Sequence, residues 1–179
     1  KDYDEAIKWY QLAAEQGNSD GQFGLGRMFD NGYGVDQNYD EAIKWYRLAA
    51  EQGNSDGQFG LGKMYSKGHG VDQSYDEAIK WYRLAAEQEN SDGQLGLGGI
   101  FYHGNGVDQS YAEALKWFRK AAEQGNAAAQ YSLALMYYDG DGVEQNFAEA
   151  EKWFRKAAEQ GNAAAQNNLG LMYYRGQGV

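Results

Sequence analysis

The fold is decided by residues 127–162, which read AAAQYSLALMYYDGDGVEQNFAEAEKWFRKAAEQGN. This stretch is one whole copy of a unit that recurs every 36 residues along the 179-residue chain. The period is marked by five tryptophans, each preceded by a lysine: Trp9, Trp45, Trp81, Trp117 and Trp153. Because a unit of this length has room for two helices and two turns, the sequence predicts a stack of helical hairpins.

When the units are counted from residue 1, each of them begins with the pattern of a helix start. The N-cap residues are Asp2, Asn38, Ser74, Ser110 and Asn146, each followed three residues later by glutamate. This spacing predicts a capping box. Apolar residues then recur with a helical period, and the tryptophans widen that stripe, so we assign the tryptophans to the core. Glycine ends this helix in four units, but Glu89 replaces it in the third, where we expect a looser turn.

A second helix is predicted from Asn18 and its equivalents onward, with Leu25 and Phe29 facing inward. Its glycines weaken the helix in the first three units. We interpret the Gly26 position as a small contact that lets the two helices of one hairpin approach closely.

Composition excludes several kinds of site and several classes of partner. The chain has no cysteine, which excludes disulfides, thiolate metal sites and a cysteine nucleophile. Its net charge of -10 opposes binding to nucleic acid or to anionic membranes. No apolar run is long enough for direct membrane insertion. The cellular compartment stays undetermined.

Enzymatic chemistry is poorly supported by the motifs. His69 and His103 have no third ligand or nucleophile at a supporting spacing. Asp139 and Asp141 begin like a calcium loop, but Val143 stands where the next oxygen ligand belongs. We therefore predict no catalytic residue, no metal and no cofactor.

At this level of detail the chain resembles the Sel1-like repeat family. The similarity rests on Ala127 and Gln130 of an Ala-x-Ala-Gln start, on Leu169-Gly170, on the Gly-x-Gly-Val turn, and on Lys-Trp-Phe/Tyr followed by Ala-Ala-Glu-Gln-Gly. Such repeats resemble tetratricopeptide repeats, which implies an all-α, right-handed superhelical solenoid with a concave groove. About ten antiparallel helices would form five hairpins, with units starting near residues 1, 37, 73, 109 and 145 of a single array over residues 1–179. The family's alanine is replaced by glycine at Gly21, Gly57 and Gly93.

The positions that vary between units are the candidates for partner binding. They share one face of the second helix, which by the resemblance lines the concave groove. These residues are Phe23, Arg27, Asp30, Phe59, Lys63, Leu95, Tyr102, Tyr131, Leu135, Tyr138, Leu171 and Tyr174. Two alternatives stay open: free drift of solvent-facing residues such as Arg27 and Asp30, and packing between repeats for Tyr102, Tyr138 and Tyr174.

The resemblance implies a scaffold or adaptor that binds a protein or peptide in the groove. The alternatives are an architectural spacer within a larger protein and a hydrolase acting on cell-wall material. The framework pattern continues to both ends, so we expect a piece of a longer array. We also expect the stripes around Tyr3 and Tyr10, and around Leu169 and Tyr173, to favour end-to-end self-association.

Overall fold

The computed structural model describes residues 2–178, and within them the chain forms ten α-helices and no strand. The helices are α1 (Tyr3–Glu15), α2 (Ser19–Asn31), α3 (Tyr39–Glu51), α4 (Ser55–Lys67), α5 (Tyr75–Glu87), α6 (Ser91–His103), α7 (Tyr111–Glu123), α8 (Ala127–Asp139), α9 (Phe147–Glu159) and α10 (Ala163–Arg175). Odd-numbered helices are the first helices of a repeat and even-numbered helices are the second. Val179, which completes the last predicted Gly-x-Gly-Val turn, lies outside the described residues, as does Lys1.

The chain divides into two compact units. The N-terminal unit spans Lys1–Gly93, and the C-terminal unit spans Gln94–Val179. In the N-terminal unit α2 packs against α1 and α3, and α4 packs against α3 and α5. In the C-terminal unit α8 lies between α7 and α9 in the same way. A second helix is therefore held between the first helix of its own repeat and the first helix of the next. None of the described helices has the length and apolar character that crossing a membrane requires.

The predicted N-caps are confirmed, but the capping box is only half formed. Asp2 Oδ1 accepts a hydrogen bond from the Glu5 backbone N–H at 3.1 Å, and the other four N-cap residues act in the same way. The glutamate does not return the bond. The Asn38 N–H instead donates to the Phe29 carbonyl of the preceding second helix at 3.0 Å, and this bond recurs at three later junctions. The glutamate carboxylate is left to pair with the lysine before the tryptophan.

The core assignment of the tryptophans is wrong in part. Trp153 is buried, the three central tryptophans are half-buried, and Trp9 is 62% exposed. Their lysine neighbours lie over the ring faces. The residue after the tryptophan fills the core instead, and the buried rings at this position are Tyr46, Tyr82, Phe118 and Phe154.

The Gly26 position makes a close contact, but with the next repeat. A Cβ on Gly26 would lie 2.7 Å from the Tyr46 ring, and a Cβ on Gly62 would lie 2.7 Å from the Tyr82 ring. The predicted contact within one hairpin is made by Gly21, whose Cβ would lie 2.6 Å from the Ala13 Cβ. Glycine therefore sets the approach of the second helix to both of its neighbours.

The turn at Glu89 is as tight as its glycine equivalents, so the expected looser turn is wrong. Glu89 has a φ of 62° and is the one non-glycine residue with positive φ among residues 2–178. Its N–H donates to the Ala86 carbonyl at 3.1 Å, and the equivalent Gly53 N–H donates to the Ala50 carbonyl at 3.0 Å. Because the hydrogen bonds are kept, the energetic cost falls on the backbone conformation of Glu89.

Substitution of this residue tests that cost. We expect Glu89→Gly to raise the free energy of unfolding by roughly 0.5–1 kcal/mol, because the relief of left-handed strain exceeds the chain entropy that glycine adds to the unfolded state. The matched control is Gly53→Glu, which recreates the Glu89 turn one repeat earlier. A Cβ at Gly53 meets nothing within 4 Å, so this change should lower stability by a similar amount through the backbone alone. Urea unfolding followed by circular dichroism measures both, and equal stabilities for all three proteins would contradict the argument.

Candidate functional site

Pairs of glutamines join each second helix to the C-terminal end of the first helix in the next repeat. Within the N-terminal unit Gln52 Nε2 donates to Gln22 Oε1 at 2.6 Å, and Gln88 Nε2 donates to Gln58 Oε1 at 2.8 Å. Two equivalent pairs, both at 2.8 Å, lie within the C-terminal unit. The accepting glutamines are buried. Since a buried amide without a partner is costly, these pairs fix where the variable faces of the second helices lie.

The N-terminal unit brings five predicted residues together in one cleft of about 380 Å³. These residues are Phe23, Arg27, Asp30, Phe59 and Lys63. The two phenylalanine rings pack against Tyr46 and Tyr82 with centroids 5.9 Å apart in each case. Arg27 lies over the Phe23 ring. The cleft is therefore aromatic at its walls and charged at its centre.

Asp30 does not face solvent. Free sequence variation of an exposed residue is therefore the wrong explanation for the variability of this position. It is 5% exposed, with Lys63 Nζ at 2.7 Å from its Oδ2 and the Tyr46 hydroxyl donating to the same oxygen at 3.2 Å. Burial, together with the Asp30 carboxylate, raises the pKa of Tyr46 well above its ordinary value. At the next junction Ser66 and the Tyr82 hydroxyl form a neutral pair at 3.1 Å.

The C-terminal unit presents two adjacent notches. The first has a volume of about 170 Å³ and is lined by Tyr102, Phe118 and Leu135, with His103 and Ser132 beside them. The second has a volume of about 190 Å³ and is lined by Leu135, Tyr138, Phe154 and Leu171, with Asp139, Asn168 and Arg175 beside them. Leu135 belongs to both notches and forms the ridge between them.

Tyr102 and Tyr138 pack between repeats and also line these notches. The Tyr102 hydroxyl donates to Asp141 Oδ2 at 2.7 Å, and the Tyr138 hydroxyl donates to Gln177 Oε1 at 3.0 Å. Each ring also lies against the buried phenylalanine of the next first helix. The hydrogen bond to Asp141 raises the pKa of Tyr102 strongly. Tyr102 and Tyr138 therefore pack between repeats, which was one of the two alternatives to partner binding. Tyr174 does not share this packing, since it is 89% exposed.

Leu95 and Tyr131 line neither notch, and both pack half-buried against the hydrophobic core of the C-terminal unit. Sequence reasoning left Asp139 and Arg175 out of the site, although both occupy a variable position. It also missed the notch floors, Phe118 and Phe154. A usable signal was present in the sequence. Tyrosine changes to phenylalanine at the floor position at the same junctions between repeats at which Asp30 and Ser66 give way to Tyr102 and Tyr138.

The predicted end stripes are exposed in part. Tyr10 and Tyr173 are exposed, whereas Tyr3 stacks on Tyr33 and Leu169 packs against the core. End-to-end self-association stays a prediction. Nowhere in residues 2–178 do three histidine or acidic side chains gather in a way that could hold a metal ion.

Alternating helices that bury glutamine pairs and aromatic rings between repeats define an α-solenoid repeat protein. The chain belongs to the Sel1 repeat family. The family's repeat matches residues 1–18, 19–54, 55–90, 91–126, 127–162 and 163–179. Among curated proteins no match is found.

Solved structures agree with this assignment. The chain is 44% identical to c5321, a protective antigen of uropathogenic Escherichia coli strains displaying an SLR fold, with a TM-score of 0.86. The match covers 100% of this chain and 38% of the length of that protein. A Sel1 repeat protein from Oxalobacter formigenes is 34% identical with a TM-score of 0.84, covering 97% of this chain and 77% of the other. Immunity protein Pa5087 from Pseudomonas aeruginosa shares the fold at 22% identity and a TM-score of 0.64, covering 89% of this chain and 59% of the other.

The Asp30–Lys63 pair can be tested by exchanging residues between repeats. Lys63→Leu, which copies Leu135, should lower the free energy of unfolding by roughly 1–3 kcal/mol because it leaves a buried carboxylate without its cation. Asp30→Ser, which copies Ser66, should be nearly neutral because a hydroxyl still meets Tyr46. The double variant should recover most of the loss in chemical denaturation. Additive effects of the two changes would show that the pair is not coupled.

Proposed function

We propose that this chain is a protein-binding scaffold in which the clefts along the second helices hold a peptide segment of a partner protein. One observation carries the proposal: positions that vary between repeats line clefts in both units, while the invariant positions build the helices. Sel1 repeat proteins are in general scaffolds for protein interactions, which supports the same proposal.

The clefts have the composition of a peptide-binding surface. Aromatic rings and leucines supply apolar area, and Arg27 and Asp139 supply charge at the rim. Rings held by packing lose little conformational entropy on binding, so the contact they make with a ligand is not offset by ordering costs. A spacer would have no need of such clefts. The hydrolase alternative gains no support from His69, which stacks on the Tyr39 ring at 4.2 Å.

Alanine substitution of the exposed rim tests the proposal without disturbing the fold. Tyr102 and Tyr138 are unsuitable because they pack between repeats, but Leu171 is 40% exposed and Tyr174 is 89% exposed. Peptides are first selected from a random displayed library on the whole chain, and their affinities are measured by isothermal titration calorimetry. We expect Arg27→Ala or the double variant Leu171→Ala/Tyr174→Ala to weaken each selected peptide at least about tenfold.

The matched control is Leu48→Ala, since Leu48 is 39% exposed but lies on the first helix α3. It should leave affinity unchanged, and all variants should keep the helical circular dichroism of the wild type. A library that yields no specific peptide would favour the spacer. Peptides that bind all variants equally would place the binding surface elsewhere.

A further inference from the structure

We propose that α10 binds α1 of a second copy of this chain, so that copies associate head to tail. The contact repeats, between two copies, the packing that joins α2 to α3 and α8 to α9 within one copy. The inference is independent of the proposed function, because it concerns the outer faces of the first and last helices and not the capture of a peptide.

The helices α10 and α1 are the two halves of one repeat. The family repeat covers residues 19–54 as α2 followed by α3, whereas it covers α10 alone over residues 163–179 and α1 alone over residues 1–18. The sequence of α1 differs from that of α3 at one of 13 positions, where Gln11 replaces Arg47. The chain therefore carries a first helix of the kind that second helices pack against.

The junction between α2 and α3 shows what this packing requires. Gly26 provides a slot for the Tyr46 ring, because a Cβ on Gly26 would lie 2.7 Å from that ring, and Tyr46 is 2% exposed. In the same junction Gln52 Nε2 donates to Gln22 Oε1 at 2.6 Å. An aromatic ring, a slot without a side chain and a pair of glutamines therefore define the junction.

The ring of such a junction is present on α1 with one side uncovered. Tyr10 occupies the position of Tyr46 but is 40% exposed. Trp9 is 62% exposed, whereas Trp45 at the equivalent position is half-buried. Since α1 and α3 are nearly identical in sequence, the exposure of α1 arises because no second helix within residues 2–178 packs on its outer side.

The slot is present on α10. Gly170 occupies the position of Gly26 and is exposed, and a Cβ on Gly170 would meet no atom within 4 Å. At Gly98, the equivalent position in α6, a Cβ would lie 2.4 Å from the Phe118 ring. The slot on α10 is therefore open at the place where other second helices hold a ring.

The glutamines of the two helices are complementary. Gln166 Nε2 donates to the Ala158 carbonyl at 3.1 Å, as the accepting glutamines of the internal pairs do, and this leaves Gln166 Oε1 to accept. Gln16 is exposed and donates to the Leu12 carbonyl at 2.8 Å, which leaves its second amide N–H to donate. A bond from Gln16 to Gln166 of another copy would match the internal pairs.

One contact of the proposed junction differs from the internal ones. Tyr174 stands at the position of Asp30 and Ser66, which bind the hydroxyl of the buried ring in the first two junctions. Between copies the Tyr10 hydroxyl would meet the Tyr174 ring and would lose hydration without its usual partner. We therefore expect weak association, with a dissociation constant between roughly 10 μM and 1 mM.

Sedimentation equilibrium of the full chain tests the association. We expect the weight-average mass to rise at least about twofold between roughly 10 μM and 1 mM at physiological ionic strength, where the net charge of -10 on each copy is screened. A mass that stays at 20.0 kDa over this range would overturn the proposal.

Two substitutions block one face each and leave the contacts of the free chain in place. Gly170→Leu fills the slot on α10, and Ala6→Arg adds bulk to α1, where Ala6 is half-buried but the equivalent Ala42 is fully buried. Each variant alone should stay monomeric. An equimolar mixture should form dimers that grow no further, because each variant keeps the face that the other lacks. The control Gly99→Leu, at another glycine whose Cβ would meet nothing within 4 Å, should associate like the wild type.

Removal of one hydroxyl separates this junction from non-specific association. Tyr10→Phe creates the combination of phenylalanine and tyrosine that Phe154 and Tyr138 already form, and it should tighten association at least about threefold. Adding Gly170→Leu should abolish that gain. Association of the blocked variants, a mixture that stays monomeric, or a Tyr10→Phe variant with unchanged affinity would each show that α10 does not bind α1 in this way, and the proposal would be wrong.

Discussion

One aromatic ring from each first helix after α1 packs against the second helix of the preceding repeat, and the position of the second helices depends on that contact. Tyr46 shows how the ring is held: Gly26 leaves room for it, Phe23 packs beside it, and Asp30 accepts its hydroxyl hydrogen bond. Burying a ring of this size stabilises the chain by roughly 1.5–3 kcal/mol. A single repeat has no surface that could cover the ring, so the hairpins form a stable structure only as neighbours.

The identity of that ring decides the chemistry of the clefts. A buried tyrosine hydroxyl needs a hydrogen-bond partner, and the second helix supplies Asp30 to Tyr46 and Ser66 to Tyr82. Phenylalanine makes no such demand. At Phe118 and Phe154 the same second-helix position carries a tyrosine. Its ring covers the phenylalanine, and its hydroxyl reaches the turn after the second helix of the next repeat. The charged cleft of the N-terminal unit and the notches of the C-terminal unit therefore differ in two coupled positions, the buried ring and the second-helix residue that faces it.

The helices, their N-caps and the left-handed turns follow from the sequence, because these features depend on residues within a few positions of one another. The partner of a side chain is set at longer range. Glu41 has the spacing of a capping box with Asn38. The Asn38 N–H that Glu41 would bind donates instead to the carbonyl of Phe29, nine residues earlier in the chain. Likewise, periodicity places both Trp45 and Tyr46 on the apolar stripe of α3, and only the geometry of the neighbouring helix decides that Tyr46 is covered. For the same reason Asp30 could be assigned to a face of α2 but not to its ion pair.

Residues that line the notches and residues that hold the repeats together overlap, and this overlap limits how binding can change. Tyr102 belongs to a notch wall and to an inter-repeat contact, so replacing it alters the stability of the stack and the shape of the notch together. Leu171, Tyr174 and Asp139 are exposed, and their side chains form no hydrogen bond or ion pair with another of the described residues, so substitutions there carry little folding cost. The shape of the notches is thus fixed by the packing between repeats, whereas the residues at their rims are free to vary. Under the proposed function, a change of partner requires an exchange of charge and bulk at the rim, because any change in the spacing of the notches would require the helices themselves to move.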